Sequence, residues 1–319
     1  MTGAAFQEIN ILFNHNKYFM SRQLYYHYTS ESAFVNILKT NSVYASYYNV
    51  LNDKTELNFC KRKIKLELKK IYAEDREFGI VAFQEGLTRA IELGLDSVGA
   101  FVFSMSRKRD DLSQWLGYGD FGRGVVIGFE LLNELGPKLP GNFVDHNENE
   151  RLLTSDSILH SIEINYYNSE TKRLISNYIE TGLHKYESAI KNSIFSEIDY
   201  IKPTFESLSQ KMINDLTLAI ISVKNIYFKF EEEVRLVCLK NLVSHSDEVG
   251  INTNKVDYRV GNDRIIPFLA IPFNQSFRIK EVVLGPRSKS NRFIVKNFIE
   301  NYLSRDLDIR VTNSKIPLS

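Results

Sequence analysis

Three carboxylates in a row, Glu231, Glu232 and Glu233, lead into Arg235 within FKFEEEVRLVCLK, residues 228–240. In an extended chain side chains alternate faces, so Glu231, Glu233 and Arg235 share one face, and Glu232, Val234 and Leu236 the other. Two carboxylates about 7 Å apart, with a guanidinium next along, can hold a hydroxyl-bearing ligand. They can also stabilise positive charge developing in a transition state. The same pattern fits a solvated edge strand whose charges discourage edge pairing.

His27 lies among aromatics in LYYHYTS. A neutral imidazole there can donate to one group and accept from another, with Thr29 on the same face. A packing histidine has the same signature. Asn52, Asp53 and Glu56 in NVLNDKTEL offer polar ligand contacts, or simply a helix cap followed by an acid that complements the helix dipole. In DDLSQWLGYGDFGRG the pair Trp115 and Tyr118 sits beside flexible glycines. That pair can clamp a planar ring, or Trp115 can anchor a turn. Neither the P-loop pattern nor the dinucleotide-binding glycine fingerprint is present. LGPRSK, with Arg287 and Lys289, reads as an ordinary strand-to-helix turn.

These residues need elements to hold them. The pattern predicts a strand at residues 23–30, then a helix capped by Ser30 with Phe34, Ile37 and Leu38 on one face, then a strand at 42–46. Amphipathic helices are expected over about 55–94, 166–192 and 204–224. Further strands are expected at 99–106, 124–130, around HSIEINYY, at the acidic strand itself, at IIPFLAIPF and IKEVVLGP, and at LDIRVTNSKIP after a helix from Asn291. DDLSQWLGYGDFGRG is read as a polar connection. Strands near both ends with helices inserted between them predict one α+β domain over 1–319, after an irregular or helical leader at 1–22.

The 319 residues are 43% hydrophobic and 25% charged, values of a globular protein with a sizeable core. The formal net charge of +1 gives no global reason to expect nucleic acid or an anionic membrane as partner. Two cysteines, Cys60 and Cys238, make neither a disulfide framework nor a cysteine zinc site, and thiols fit a reducing cytoplasm. No signal peptide and no apolar run of spanning length stands out, so no membrane partner is expected. Oligomeric state is left open.

Taken in order, LYYHYTS, FVNILKTNSVYAS, NVLNDKTEL, DDLSQWLGYGDFGRGVVIGF, FKFEEEVRLV and VVLGP resemble the bacterial family catalogued as domain of unknown function 2971. Lys54 stands where that family usually has proline, and Val234 where an aromatic is common. More distantly, the aromatic-His-x-Thr strand, the helix and the Tyr-x-Ser strand look like the opening of ADP-ribosyltransferases of the His-Tyr-Glu type. That resemblance implies a split α+β sheet, mixed or antiparallel, and NAD as substrate without a metal. It implies catalytic Glu233 or Glu231, with His27 on a ribose of NAD. Tyr44 would stack, though Tyr47 competes for that role. Tyr28, Thr29, Ser46, Asn52, Asp53, Trp115 and Tyr118 would line the pocket, and Arg235 and Glu56 would support it. The activity would be ADP-ribosyl transfer or NAD glycohydrolysis, as a toxin or anti-phage defence effector, with protein, nucleic acid or water as acceptor. The acids Asp53, Glu56, Glu231 and Glu233 also fit a magnesium- or manganese-dependent nuclease or phosphoesterase. A non-catalytic nucleotide- or protein-binding module is the third reading.

Overall fold

A computed structural model describes residues 23–50, 98–131, 151–154, 157–169, 217–218, 220–241, 256–261, 263–273, 277–303 and 308–318, with isolated positions 62, 66, 173 and 176. Asn52, Asp53, Glu56 and most of the helices expected over 55–94, 166–192 and 204–224 lie outside these residues.

The described chain is an α+β fold built on a mostly antiparallel, open sheet. Strands β1 (Leu24–Thr29), β2 (Ser42–Tyr47), β3 (Val98–Ser106) and β4 (Val125–Leu131) open it. Residues Arg151–Thr154 (β5), Ser157–Glu163 (β6), Asn165–Tyr166 (β7), Val223–Lys224 (β8) and Glu233–Asn241 (β9) follow, β7 and β8 pairing with each other in a separate two-stranded parallel sheet. The last four are β10 (Asp257–Gly261), β11 (Arg264–Pro272), β12 (Phe277–Leu284) and β13 (Arg310–Asn313). One path runs β10-β11-β2-β3-β1-β4-β12-β13, with β9 on the far edge of β3 and β6 beyond it.

Among the described residues three α-helices stand between strands. Helix α1 (Glu31–Thr40) is capped by the Ser30 hydroxyl and ends at Asn41 in the left-handed region. As its spacing predicts, it buries Phe34, Ile37 and Leu38. Helix α2 (Leu112–Gly117) stands where a polar connection is expected. Its start is legible in hindsight, since the Asp111 carboxylate accepts from the backbone N–H groups of Ser113 and Gln114. Helix α3 (Arg292–Tyr302) is capped by Asn291.

The period-2 alternation of each strand divides the core. Phe101, Phe103, Met105, Val234, Leu236, Cys238 and Ile127 face one side, covered by α1 and α3 through Phe34, Leu38, Val295 and Ile299. Ala100, Val102, Val237 and Leu239 face the other, against Ile221 and Leu218. Tyr28, Val126 and Val283 share that second side with Trp115 of α2.

One edge of β3 is only partly paired. Along one edge β9 pairs with it from Val98 to Ser106. Along the other, β2 pairs at Phe101 and Val102 and β1 at Ser106. Among the described residues Phe103, Ser104 and Met105 have no strand partner on that edge, so β1 and β2 splay apart around a gap.

Candidate functional site

The acidic stretch does not enter the sheet as one continuous strand. Residues Ile226–Glu231 form a 3-10 turn, Glu232 caps it with a positive φ of 45°, and β9 begins only at Glu233. Simple alternation therefore does not set the face of Glu231. A left-handed residue between the two acids turns both carboxylates onto one cation, Lys224 of β8. Its Nζ donates to Glu231 Oε2 at 2.6 Å and to Glu233 Oε2 at 3.0 Å. Lys224 is the participant that sequence reading missed. It lies only seven residues before Glu231, but nothing in VKNIYFKFEEE marks it as facing inward.

Arg235 completes the cluster. Its Nε and Nη2 clasp Glu233 at 2.7 and 3.0 Å, while Nη1 donates to the Ile221 carbonyl at 2.8 Å. The Tyr118 hydroxyl donates to Glu231 Oε1 at 2.9 Å. The Glu233 N–H donates to the Tyr166 hydroxyl at 2.8 Å. All four charged side chains are buried, and two acids balance two bases. Burial alone would push the Glu233 carboxyl up. The charges of Arg235 and Lys224, with hydrogen bonds from Arg235 and Ser104, hold it down to about 2. Burial, reinforced by the Glu231 charge, raises the Tyr118 phenol, which stays protonated and donates.

His27 is elsewhere. It is paired with Ile127 and stacked on Phe103 at 4.4 Å, both on the α1/α3 side. Glu233 and Arg235 register with Ser106 and Ser104, on the opposite side. Ser104 stands between the two: its carbonyl accepts from His27 Nδ1 at 2.9 Å, and its hydroxyl donates to Glu233. His27 and Glu233 thus sit one residue apart across β3 but project from opposite faces. Sequence reading expects them to touch one ligand; this register does not allow it through their side chains. With Nδ1 donating, the neutral ring leaves Nε2 as an acceptor. Burial, with a small contribution from Arg259, lowers the imidazole to about 4 and keeps it uncharged.

Tyr44 and Ser46 flank the gap from β2. Tyr44 packs on Phe268 at 4.2 Å, and the Ser46 hydroxyl accepts from Arg259 Nη2 at 3.0 Å. The Arg259 charge is felt at His27 and at Tyr44, so one guanidinium stands near both walls of the gap. Arg259 was not anticipated; its exposed position in DYRVG reads as an ordinary edge strand.

Other expected pocket residues make contacts within the fold. Trp115 is 0% exposed, meets Tyr28 edge-on at 5.0 Å and donates to Asp110 at 2.7 Å. These contacts anchor its ring in the core, and Tyr118, 45% exposed, faces Glu231. Tyr28 is buried, donating to the Lys108 carbonyl at 2.9 Å and accepting from the Asp111 N–H at 3.0 Å. Thr29 is buried beside it, paired with Val125. Tyr47, partly buried, packs on Phe101 and Tyr48 against the core. Among the described residues no group of three or more His, Cys, Asp and Glu is poised around a metal. Between Glu231 and Glu233 the position a metal would take holds the Lys224 ammonium. No described helix is long and apolar enough to cross a membrane.

The profile of a family described as Protein of unknown function (DUF2971) matches residues 114–236, from α2 through the first residues of β9. No curated protein and no solved structure matches the chain.

Proposed function

We propose that this chain, which carries the DUF2971 domain across residues 114–236, binds a nucleotide at the gap beside β3, with NAD as the first candidate. One observation supports the reading above the others: at the open edge of β3 at Phe103–Met105, Tyr44 and Ser46 stand on the Val102 face, His27 lines the gap from the opposite face, and Arg259 is near both. A gap between the first two strands is what a split sheet of the ADP-ribosyltransferase type requires. His27 Nε2 can accept from a sugar hydroxyl, Tyr44 offers a ring to stack on, and Arg259 offers charge to a phosphate.

Whether NAD is also cleaved turns on an acid at the ribose. Glu233 does not suit that task, because Arg235, Lys224 and Ser104 already occupy its oxygens. Glu231, with one hydrogen bond to each oxygen from a neighbouring side chain, is the acid that keeps capacity. That favours, as the second reading, ADP-ribosyl transfer or NAD hydrolysis through Glu231, in a toxin or anti-phage effector.

Thermal denaturation with and without NAD, alongside nicotinamide release, tests both. Binding at the gap predicts that NAD raises the melting temperature and that Arg259→Ala and Tyr44→Ala abolish the rise. No rise with NAD, or a rise untouched by either substitution, refutes the gap as its site. Nicotinamide release lost in Glu231→Gln would establish the enzyme reading.

A further inference from the structure

Outside both sites, a second buried acid gathers two arginines. Glu281 is 0% exposed in β12. It accepts from Arg109 Nε at 2.9 Å, from Arg109 Nη2 at 2.7 Å and from Arg310 Nε at 2.9 Å. Arg109 Nη2 and Arg310 Nε share the same oxygen, Oε1, so the two guanidiniums lie side by side. Arg310 is fixed there by register, directly opposite Glu281 in the parallel β12–β13 pair. Arg109 is steadied further by the Thr312 hydroxyl, which accepts from Nη2 at 2.8 Å.

Tyr26 joins them. Its ring lies over Gly128, where a Cβ would meet the ring at 3.1 Å and Glu281 Cβ at 3.2 Å. A side chain at 128 would therefore displace the phenol from the triad. Its hydroxyl feels the charges of Glu281, Arg109 and Arg310. The nearby acid Asp110 is already engaged by Trp115, Ser314 and the Lys315 N–H.

Among the described residues donors outnumber acceptors at this point. One carboxylate is spent on three N–H groups. The Tyr26 hydroxyl, Arg109 Nη1 and both Arg310 terminal nitrogens have no hydrogen-bond partner among the described residues. A latch between β12 and the loop before α2 needs one arginine. The second, with a side chain 66% exposed, adds a positive charge that the buried acid does not cancel. Guanidiniums pre-oriented by a buried acid match tetrahedral oxyanions. We propose that Arg109, Arg310 and Tyr26 form a phosphate-binding site, filled by a small phosphate monoester or by inorganic phosphate.

Titration of the full chain with inorganic phosphate and with AMP, followed by melting temperature and by phosphorus NMR line width, tests the site. A saturable response is expected for at least one of them below about 10 mM. Arg310→Gln should weaken it about 10-fold or more, the loss of a charge-assisted hydrogen bond. Its exposed side chain leaves the fold intact. Tyr26→Phe should weaken binding without moving the melting temperature of the free protein by more than a degree or two. A tighter response to AMP identifies the ester as the source, and an equal one the free anion. No saturable response, or one unchanged in Arg310→Gln, overturns the proposal. So does a phosphate response lost in Arg259→Ala, which would move the anion to the gap.

Discussion

Removing Glu233 should damage the fold before it damages any chemistry. Its two oxygens accept from Arg235 Nε at 2.7 Å, Arg235 Nη2 at 3.0 Å and Lys224 Nζ at 3.0 Å. In Glu233→Ala the cluster keeps Lys224 and Arg235 against Glu231 alone, one uncompensated positive charge among buried groups. Breaking a buried ion pair from one side costs about 3–5 kcal/mol, because the partner's desolvation is no longer offset. Total stabilities of about 5–15 kcal/mol make that a large fraction. For a chain of this size the melting temperature should drop by roughly 6–12 °C. Glu233→Gln keeps the volume and one acceptor oxygen, and should cost less than the alanine.

Acid titration gives an independent reading of the same group. The folded carboxyl sits at about 2 against an ordinary 4.5. Stability from this depression is complete above about 4.5, and is lost as the pH falls towards 2. A shift of this size corresponds to about 3 kcal/mol. Urea midpoints measured at pH 7 and pH 3 should therefore converge in Glu233→Gln and diverge in the parent. An alanine variant as stable as the parent at pH 7, yet without NAD turnover, would refute the assignment of Glu233 to the structure and restore it to catalysis.

Three further perturbations probe the frame around the sites. Folded His27 titrates near 4 rather than 6.5, so below 6.5 the unfolded chain takes up a proton that the fold refuses. Stability is complete above 6.5 and falls between 6.5 and 4. In His27→Gln, unfolding free energies from urea titrations at pH 7 and pH 4.5 should differ by about 1–2 kcal/mol less than in the parent, after discounting for the partial exposure of the ring. At Gly124 a Cβ would lie 2.0 Å from the Thr29 carbonyl oxygen, whereas at Gly117 nothing lies within 4 Å. Gly124→Ala should cost about 3 kcal/mol or leave little soluble protein. Gly117→Ala should be neutral or stabilise by about 0.5–1 kcal/mol; chemical denaturation compares the two. Tyr28→Phe removes both the donor to Lys108 and the acceptor for Asp111. It should lower stability by about 1–3 kcal/mol without altering the NAD response.

What the sequence makes legible follows from the range of each interaction. Ser30 as cap and Phe34, Ile37 and Leu38 as buried face are local facts, written within ten residues of each other. The strands LYYHYT, SVYASY, VVIGFEL and EVRLVCLKN announce themselves by β-branched and aromatic runs, and the sheet contains all four. Helix α2 escapes notice because six residues ending in a glycine carry too little periodicity, although Asp111 marks its start. The acidic stretch misleads at one residue. A left-handed Glu232 is uncommon for a non-glycine residue, and alternation cannot be counted through it.

The separation of His27 from Glu233 is of another kind. Period 2 says which residues of one strand share a face, but says nothing about how two strands are phased against each other. That phase is fixed by Tyr26 opposite Ser106 and Ser106 opposite Glu233. It puts Tyr26, not His27, on the side of the acids. A slip of one residue between β1 and β3 would reverse the outcome, and would also turn Tyr25 out of the core and Tyr28 into it on the wrong side, away from Trp115. The burial of Tyr25 and the edge-on contact of Tyr28 with Trp115 are therefore what exclude the slip. The placement of His27 on the α1/α3 side rests on how Tyr25 and Tyr28 pack against partners far along the chain, which the polar motifs alone do not encode.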